Sequence, residues 1–266
     1  MTPNRDLFLR KVGAVIRGSY ARRKSSMDEA TQRHLNAINR DFYRVTAAEF
    51  DATRQRAWAG WERMLTAVDL PVASALDIGC GNGRFARFLA ARQQRDFAYY
   101  GIDNCTELLA AARRQLADLS HAQIKLIERD VIVDGLAGPS AQLVVLFGLL
   151  HHVPGARHRL DLLRAAARYV LPGGLLVFAA WRFYEQERFR QRILPWDSGI
   201  VVEKHDYLLD WRRGERALRY CHYIDDIEHV QLIEATGLSV IDDYRADGAA
   251  GDLNRYTVLR KTAERA

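Results

Sequence analysis

Cysteine and long apolar runs are both scarce in this 266-residue chain. Its three cysteines, Cys80, Cys105 and Cys221, are an odd number with no Cys-x-x-Cys pair. That argues against a disulfide framework and against a zinc site, so no metal is expected. No apolar run approaches the roughly 20 residues needed to span a bilayer. The opening residues scatter charges where a signal peptide needs a clean apolar stretch. Internal repeats and low-complexity tracts are also missing. A soluble protein of the reducing cytoplasm, with no membrane partner, is the expectation.

Acids are scarce at the start of the chain. Residues 1–24 hold Arg5, Arg10, Lys11, Arg17, Arg22, Arg23 and Lys24 against the single acid Asp6, which accounts for the whole net charge of +6. A basic arm (residues 1–26) ahead of a neutral body fits an anionic partner such as RNA, because clustered cations release counterions from a phosphate backbone. A solvated terminus and an Arg-rich presequence fit the same composition. The chain as a whole, with 48% hydrophobic residues, has enough apolar content for one sizeable core.

Leu35, Ile38, Phe42 and Val45 recur at three- and four-residue steps, predicting an amphipathic helix over 28–50. A second helix is expected over about 58–68, ended by Pro71. Together they make a helical cap over 27–70. Strands are expected at 73–78, 97–102, 123–128, 143–147 and 175–181, separated by helical patterns, which is the signature of a mostly parallel sheet. The continuous apolar run Leu143 to Phe147 suits a strand covered on both faces. Two helix starts pair a capping residue with an acid three places on, Asn104 with Glu107 and Asp225 with Glu228. Two further strands, 239–244 and 256–260, read as an edge hairpin. The predicted fold is α/β, a doubly wound, mostly parallel seven-stranded sheet of Rossmann-like type behind the N-terminal helical cap. Residues 182–222 form an irregular basic insertion, read as a lid or a solvated loop.

The segment Asp77-Ile78-Gly79-Cys80-Gly81-Asn82-Gly83 follows a strand and opens a helix, placing glycines where backbone approaches a ligand closely. The dinucleotide fingerprint needs a glycine where Arg84 stands, which disfavours NAD. The pattern Asp-x-Gly-x-Gly-x-Gly resembles the first motif of S-adenosylmethionine enzymes. Asp77 then faces the methionine end of that cofactor, and Asp103, at the end of the second strand, accepts both ribose hydroxyls. Asp130 and the backbone of Val131 are placed at the adenine, and Leu171-Pro172-Gly173-Gly174 matches the late turn of the same superfamily. Residues 71–266 are thus identified as a class I methyltransferase domain.

Phe50-Asp51-Ala52-Thr53-Arg54 with Trp58, Leu150-His151-His152, Ala180-Trp181 with Glu185-Gln186-Glu187, Arg219-Tyr220-Cys221-His222 and Asn254 resemble the tRNA wobble-uridine carboxymethyl methyltransferases. The resemblance implies a tRNA substrate and esterification of the carboxylate of 5-carboxymethyluridine. A small activator protein is a possible partner, as in the eukaryotic members. The chain departs from them with Val153 and Arg255 where they carry Trp. A carboxylate is already ionised at neutral pH, so the site needs orientation more than a base. Arg54 and His152 are therefore the candidate catalytic residues, Arg54 as a planar clamp on the acceptor carboxylate and His152 as a hydrogen-bonding orienter. His151, Trp181, Arg219, His222 and Asn254 are the further candidate substrate-binding residues. The alternatives are a small-molecule carboxyl or hydroxyl methyltransferase and a non-catalytic cofactor-binding module. The intact Asp77, Asp103 and Asp130 set speaks against the last.

Overall fold

A computed structural model describes residues 27–263; the basic arm lies outside the described residues. The chain opens with helix α1 (Glu29–Thr53), capped by Asp28, whose carboxylate accepts from the Thr31 N–H at 2.7 Å. Its successor α2 (Ala59–Met64) is shorter than expected. Then come β1 (Ser74–Ile78), α3 (Arg84–Arg92), β2 (Phe97–Asp103), α4 (Thr106–Leu116), β3 (Ala122–Glu128), β4 (Ala141–Phe147), α5 (Ala156–Arg168) and β5 (Val170–Trp181). Helix α7 (Asp226–Thr236), β9 (Ser239–Ala246) and β10 (Asn254–Arg260) close the described chain.

The seven-stranded sheet has the order β3-β2-β1-β4-β5-β10-β9, and all strands run parallel except β10, which is antiparallel to both its neighbours, β5 and β9. Side chains alternate across the pleat. Ala75, Leu143, Val145, Val177 and Ala179 therefore fill the core on one face, and Leu76, Ile78, Val144, Leu146, Leu176 and Phe178 the core on the other. The unbroken apolar run in β4 follows from this double burial. Because β1 and β4 are neighbours while the chain winds outward from each, a crevice opens at their carboxyl ends, where such sheets bind ligands.

Two expectations need correction. The 182–222 insertion is not irregular. It contains the short helix α6 (Glu187–Arg190) and an antiparallel sheet β6 (Ile193–Leu194), β7 (Asp206–Trp211) and β8 (Ala217–His222). Leu208, Leu209, Trp211, Tyr220 and Cys221 are buried. The strand period was hidden because Arg219, a charged residue, occupies an inward position. This sheet packs on the cap: Leu35 of α1 against Tyr220, and Phe42 against Trp211 with ring centroids 5.5 Å apart. Secondly, Asn104 does not cap α4. Cys105 takes that place, its N–H donating to Asp103 at 2.9 Å, and Asn104 turns its amide to Asp130.

Candidate active site

The crevice is a cavity of about 500 Å³, within the range of roughly 300–1,000 Å³ typical of ligand pockets. Its floor is the ends of β1, β2, β4 and β5; its roof is α1 and the insertion sheet.

The floor begins with the 79–83 loop. Gly81 has φ +53°, and a Cβ built there would meet nothing within 4 Å. Backbone conformation and open space for a ligand are what this position offers, since no packing contact excludes a side chain. Gly79, also at positive φ, lines the same wall. Gly83 lies outside the cavity wall, where it starts α3; a Cβ there would sit 2.8 Å from Leu116. Asp103 accepts the Gly81 N–H at 2.8 Å on one oxygen and the Cys105 N–H on the other. Each oxygen keeps a lone pair for a further donor, as a ribose diol requires. Asp77 accepts the Tyr99 hydroxyl at 2.6 Å, and burial raises its pKa to about 7 against the effect of that hydrogen bond.

At the far end of the floor, Asp130 is spoken for. Its oxygens accept from the Ile132 and Val133 N–H groups and from the side-chain amides of Asn36 (2.9 Å) and Asn104. Asn36, Asn104, Leu108 and Ile132 line the cavity there, and Asp130 and Val131 lie outside its wall.

Under the roof the structure brings together Arg54, His151, His152, Trp181, Arg219 and Asn254. They come from the end of α1, the turn after β4, the end of β5, β8 and the start of β10. Asn254 pairs with Trp181 in the β10/β5 register and donates its amide to Asp247 at 2.8 Å. The two histidines differ from expectation. His152 donates Nδ1–H to the Tyr220 carbonyl at 3.0 Å, because a carbonyl can only accept. Its Nε2 then accepts the Tyr43 hydroxyl at 2.9 Å. With both nitrogens engaged, His152 has no hydrogen bond left for an acceptor; it orients Tyr43 instead. Burial lowers its pKa to about 3 and raises that of Tyr43 to about 12. His151, by contrast, keeps a buried Nδ1 without a partner, and burial holds it neutral.

His222 is the other correction. It lies outside the cavity wall with Asp206 on Nδ1 and Glu228 on Nε2, each at 2.6 Å. Two carboxylates require a donor at both nitrogens, so the ring is an imidazolium. Burial opposes its charge, but these hydrogen bonds outweigh burial and raise its pKa. Arg159, buried between Glu203 and Glu228, completes a network that fastens the insertion sheet to α5 and α7.

Arg219 is 8% exposed, its guanidinium 4.8 Å from the Trp181 ring centroid, 5.1 Å from Phe42 and 5.9 Å from Trp211. Its Nε is buried without a hydrogen-bond partner. Among the described residues, no carboxylate lies within ion-pair distance of Arg54, Arg84 or Arg219, all three of which line the cavity. His151, His152 and Cys221 lie close enough together to share an ion. The engaged nitrogens of His152 and the adjacent Arg219 cation make them a poor cation site.

Sequence reasoning missed Tyr43 and Asn39, whose amide donates to the His152 carbonyl while its Oδ1 stays buried and unpartnered. The signal was present as a polar stripe, Asn36, Asn39, Arg40 and Tyr43, beside the apolar stripe that defined the helix.

A family model described as a methyltransferase domain matches residues 76–176. The chain is 27% identical over 165 residues to the tRNA (carboxymethyluridine(34)-5-O)-methyltransferase ALKBH8 of Mus musculus, an alignment covering 62% of this chain and 22% of that protein. It is 24% identical over 222 residues to the tRNA (carboxymethyluridine(34)-5-O)-methyltransferase of Schizosaccharomyces pombe, covering 75% of this chain and 88% of that one. The N-methyltransferase NodS from Bradyrhizobium japonicum, in complex with S-adenosyl-L-homocysteine, shares the fold with a TM-score of 0.52 at 18% identity, covering 87% of this chain and 98% of NodS. The fold is the one found in solved S-adenosylmethionine-dependent methyltransferases, and the matched segment is described as a methyltransferase domain. That cofactor fits the open glycine loop and the spare lone pairs of Asp103. No described helix is long and apolar enough to cross a membrane.

Proposed function

We propose that this chain is an S-adenosylmethionine-dependent methyltransferase that esterifies a carboxylate on a modified tRNA wobble uridine, converting 5-carboxymethyluridine to its methyl ester. The observation that carries the reading is Arg219, a buried cation in an aromatic box that faces the cavity with no anion of its own. An uncompensated buried charge is destabilising unless a ligand supplies the partner. A carboxylate beside a planar base matches the planar guanidinium and the adjacent Trp181 ring. The printed names of the mouse and fission-yeast relatives support the same acceptor.

When bound, the cofactor supplies a methyl group activated by its sulfonium. The loop at Gly79 and Gly81 and the carboxylates of Asp77 and Asp103 hold it. Arg219 grips one acceptor oxygen and leaves the other free to attack, and Trp181 supports the ring. His152 fixes the Tyr43 hydroxyl, which presents its lone pairs to the cavity, and Asn39 adds a second acceptor atom; together they suit an N–H edge such as that of a uracil. Neither histidine is poised as a base, which a carboxylate nucleophile does not need. Mass spectrometry of tRNA nucleosides from cells with and without the gene tests the reading. Deletion should remove the methyl ester and accumulate 5-carboxymethyluridine; an unchanged nucleoside profile would overturn the tRNA assignment.

A further inference from the structure

The sequence pattern assigns Arg54 to the acceptor, but its backbone is tied to the other half of the cavity, so the residue stands between the two halves. Arg54 ends α1, and its carbonyl accepts the Asn82 side-chain amide at 3.2 Å, tying it to the glycine loop. The same amide donates to Asp51 at 2.7 Å, as do Gln115 at 2.7 Å and Gln55 at 3.2 Å. The carboxylate nearest Arg54 in sequence is thus satisfied by three amides, and the guanidinium is left with the Thr53 hydroxyl and the face of Phe50. Arg84, the first residue of α3 just past the loop, also lacks an ion-pair partner and rests on Trp58. Two unpaired cations therefore flank the loop that ends β1.

This arrangement has an electrostatic consequence. A guanidinium on the same side of the cavity as a bound sulfonium repels it unless an anion lies between them. The cofactor carries one such anion, the carboxylate of its amino-acid end, and the loop is where Asp77 and the glycine amides await that end.

We infer that Arg54 is the anchor for the amino-acid carboxylate of the cofactor, with Arg84 reinforcing the positive potential around it, and that the acceptor's anion is left to Arg219. This assignment rests on the cofactor and is independent of which acceptor is methylated. Arg54 is then a cofactor-binding residue whose role is separable from that of Asp103, which faces the ribose.

Titration calorimetry with two probes tests it: S-adenosylhomocysteine, which has the amino-acid carboxylate, and 5′-methylthioadenosine, which lacks it. Arg54→Met should weaken S-adenosylhomocysteine binding roughly 10- to 100-fold, as for a lost charged hydrogen bond, and leave methylthioadenosine binding unchanged. Arg54→Lys should recover part of the loss, since a point charge keeps attraction without the planar fork. Arg219→Met should leave both affinities unchanged. Equal weakening of both probes in Arg54→Met would mean that Arg54 merely shapes the loop. Unchanged S-adenosylhomocysteine affinity in Arg54→Met would take Arg54 off the cofactor. Either result overturns the inference, and neither depends on the nucleoside assignment.

Discussion

Replacing Arg219 by methionine should make the chain a poorer enzyme without making it less stable. Methionine keeps the reach of the arginine stem and packs well against the same rings. The variant loses cation–π attraction to Trp181, Phe42 and Trp211, about 0.5–2 kcal/mol for a partly desolvated guanidinium. It also removes a buried charge with no anion beside it, a relief of comparable or larger size. The unliganded protein should therefore melt no more than about 2–4 °C below the wild type, the shift that roughly 1 kcal/mol produces in a chain of this size, or above it. Turnover behaves differently. A charge-assisted hydrogen bond to the acceptor carboxylate, about 1.5–3 kcal/mol, corresponds to a loss of roughly 10- to 150-fold in kcat/KM at 1.36 kcal/mol per decade. Thermal unfolding without ligand and steady-state kinetics with carboxymethyluridine-containing tRNA read the two effects separately. Melting lowered by more than about 5 °C, or kcat/KM within twofold of wild type, would refute the reasoning: the first would make Arg219 a packing residue, the second would free the acceptor from it.

Asp103→Ala removes the carboxylate that spans the Gly81 and Cys105 N–H groups and faces the cavity, so cofactor affinity measured by calorimetry should fall about 10-fold or more, the weight of hydrogen bonds to a charged group; undiminished binding would reject the ribose assignment. For pH dependence, the raised pKa of His222 means that its contribution is complete below its ordinary value of 6.5 and is lost as pH rises through the folded value. Glu228, lowered to about 2 because the hydrogen bond from His222 and the charge of Arg159 outweigh burial, contributes above its ordinary 4.5 and loses that contribution as pH falls. Urea midpoints should thus decline on the alkaline side of pH 6.5 in the wild type, and His222→Gln should lower the plateau and flatten that decline; a His222→Gln profile parallel to the wild type would remove His222 as its source.

The fold was legible because its determinants are local. Each buried strand carries its own apolar run, and Gly237, at φ +67° after α7, marks its helix end in the residue itself. The floor of the site was legible for the same reason: Asp77, Gly79, Gly81 and Asp103 sit at strand ends whose positions follow from the winding. Asp130 marks the limit. Its place at the end of β3 was legible, but its carboxylate is engaged by Asn36, 94 residues away in the chain. No pattern within one segment announces such a partner.

The roof was read as a set of residue types and not as a set of roles, and the two histidines show why. Side by side in one turn, with ring centroids 4.1 Å apart, they are indistinguishable in sequence. Their difference is imposed by Tyr220 of the insertion and Tyr43 of the cap, which engage both nitrogens of His152, whereas the Nδ1 of His151 has no hydrogen-bond partner. The arginines follow the same logic. Arg54 and Arg219 are alike as letters, yet one is bound through its carbonyl to the glycine loop and the other is enclosed by rings from α1, β5 and β7. The cavity is accordingly polarised, with Asp77 and Asp103 on the sheet side and Arg219 under the cap. That sign sequence suits the proposed transfer of a methyl group from a sulfonium against the sheet to a carboxylate against the cap, with Arg54 and Arg84 beside the glycine loop left for the cofactor's own carboxylate.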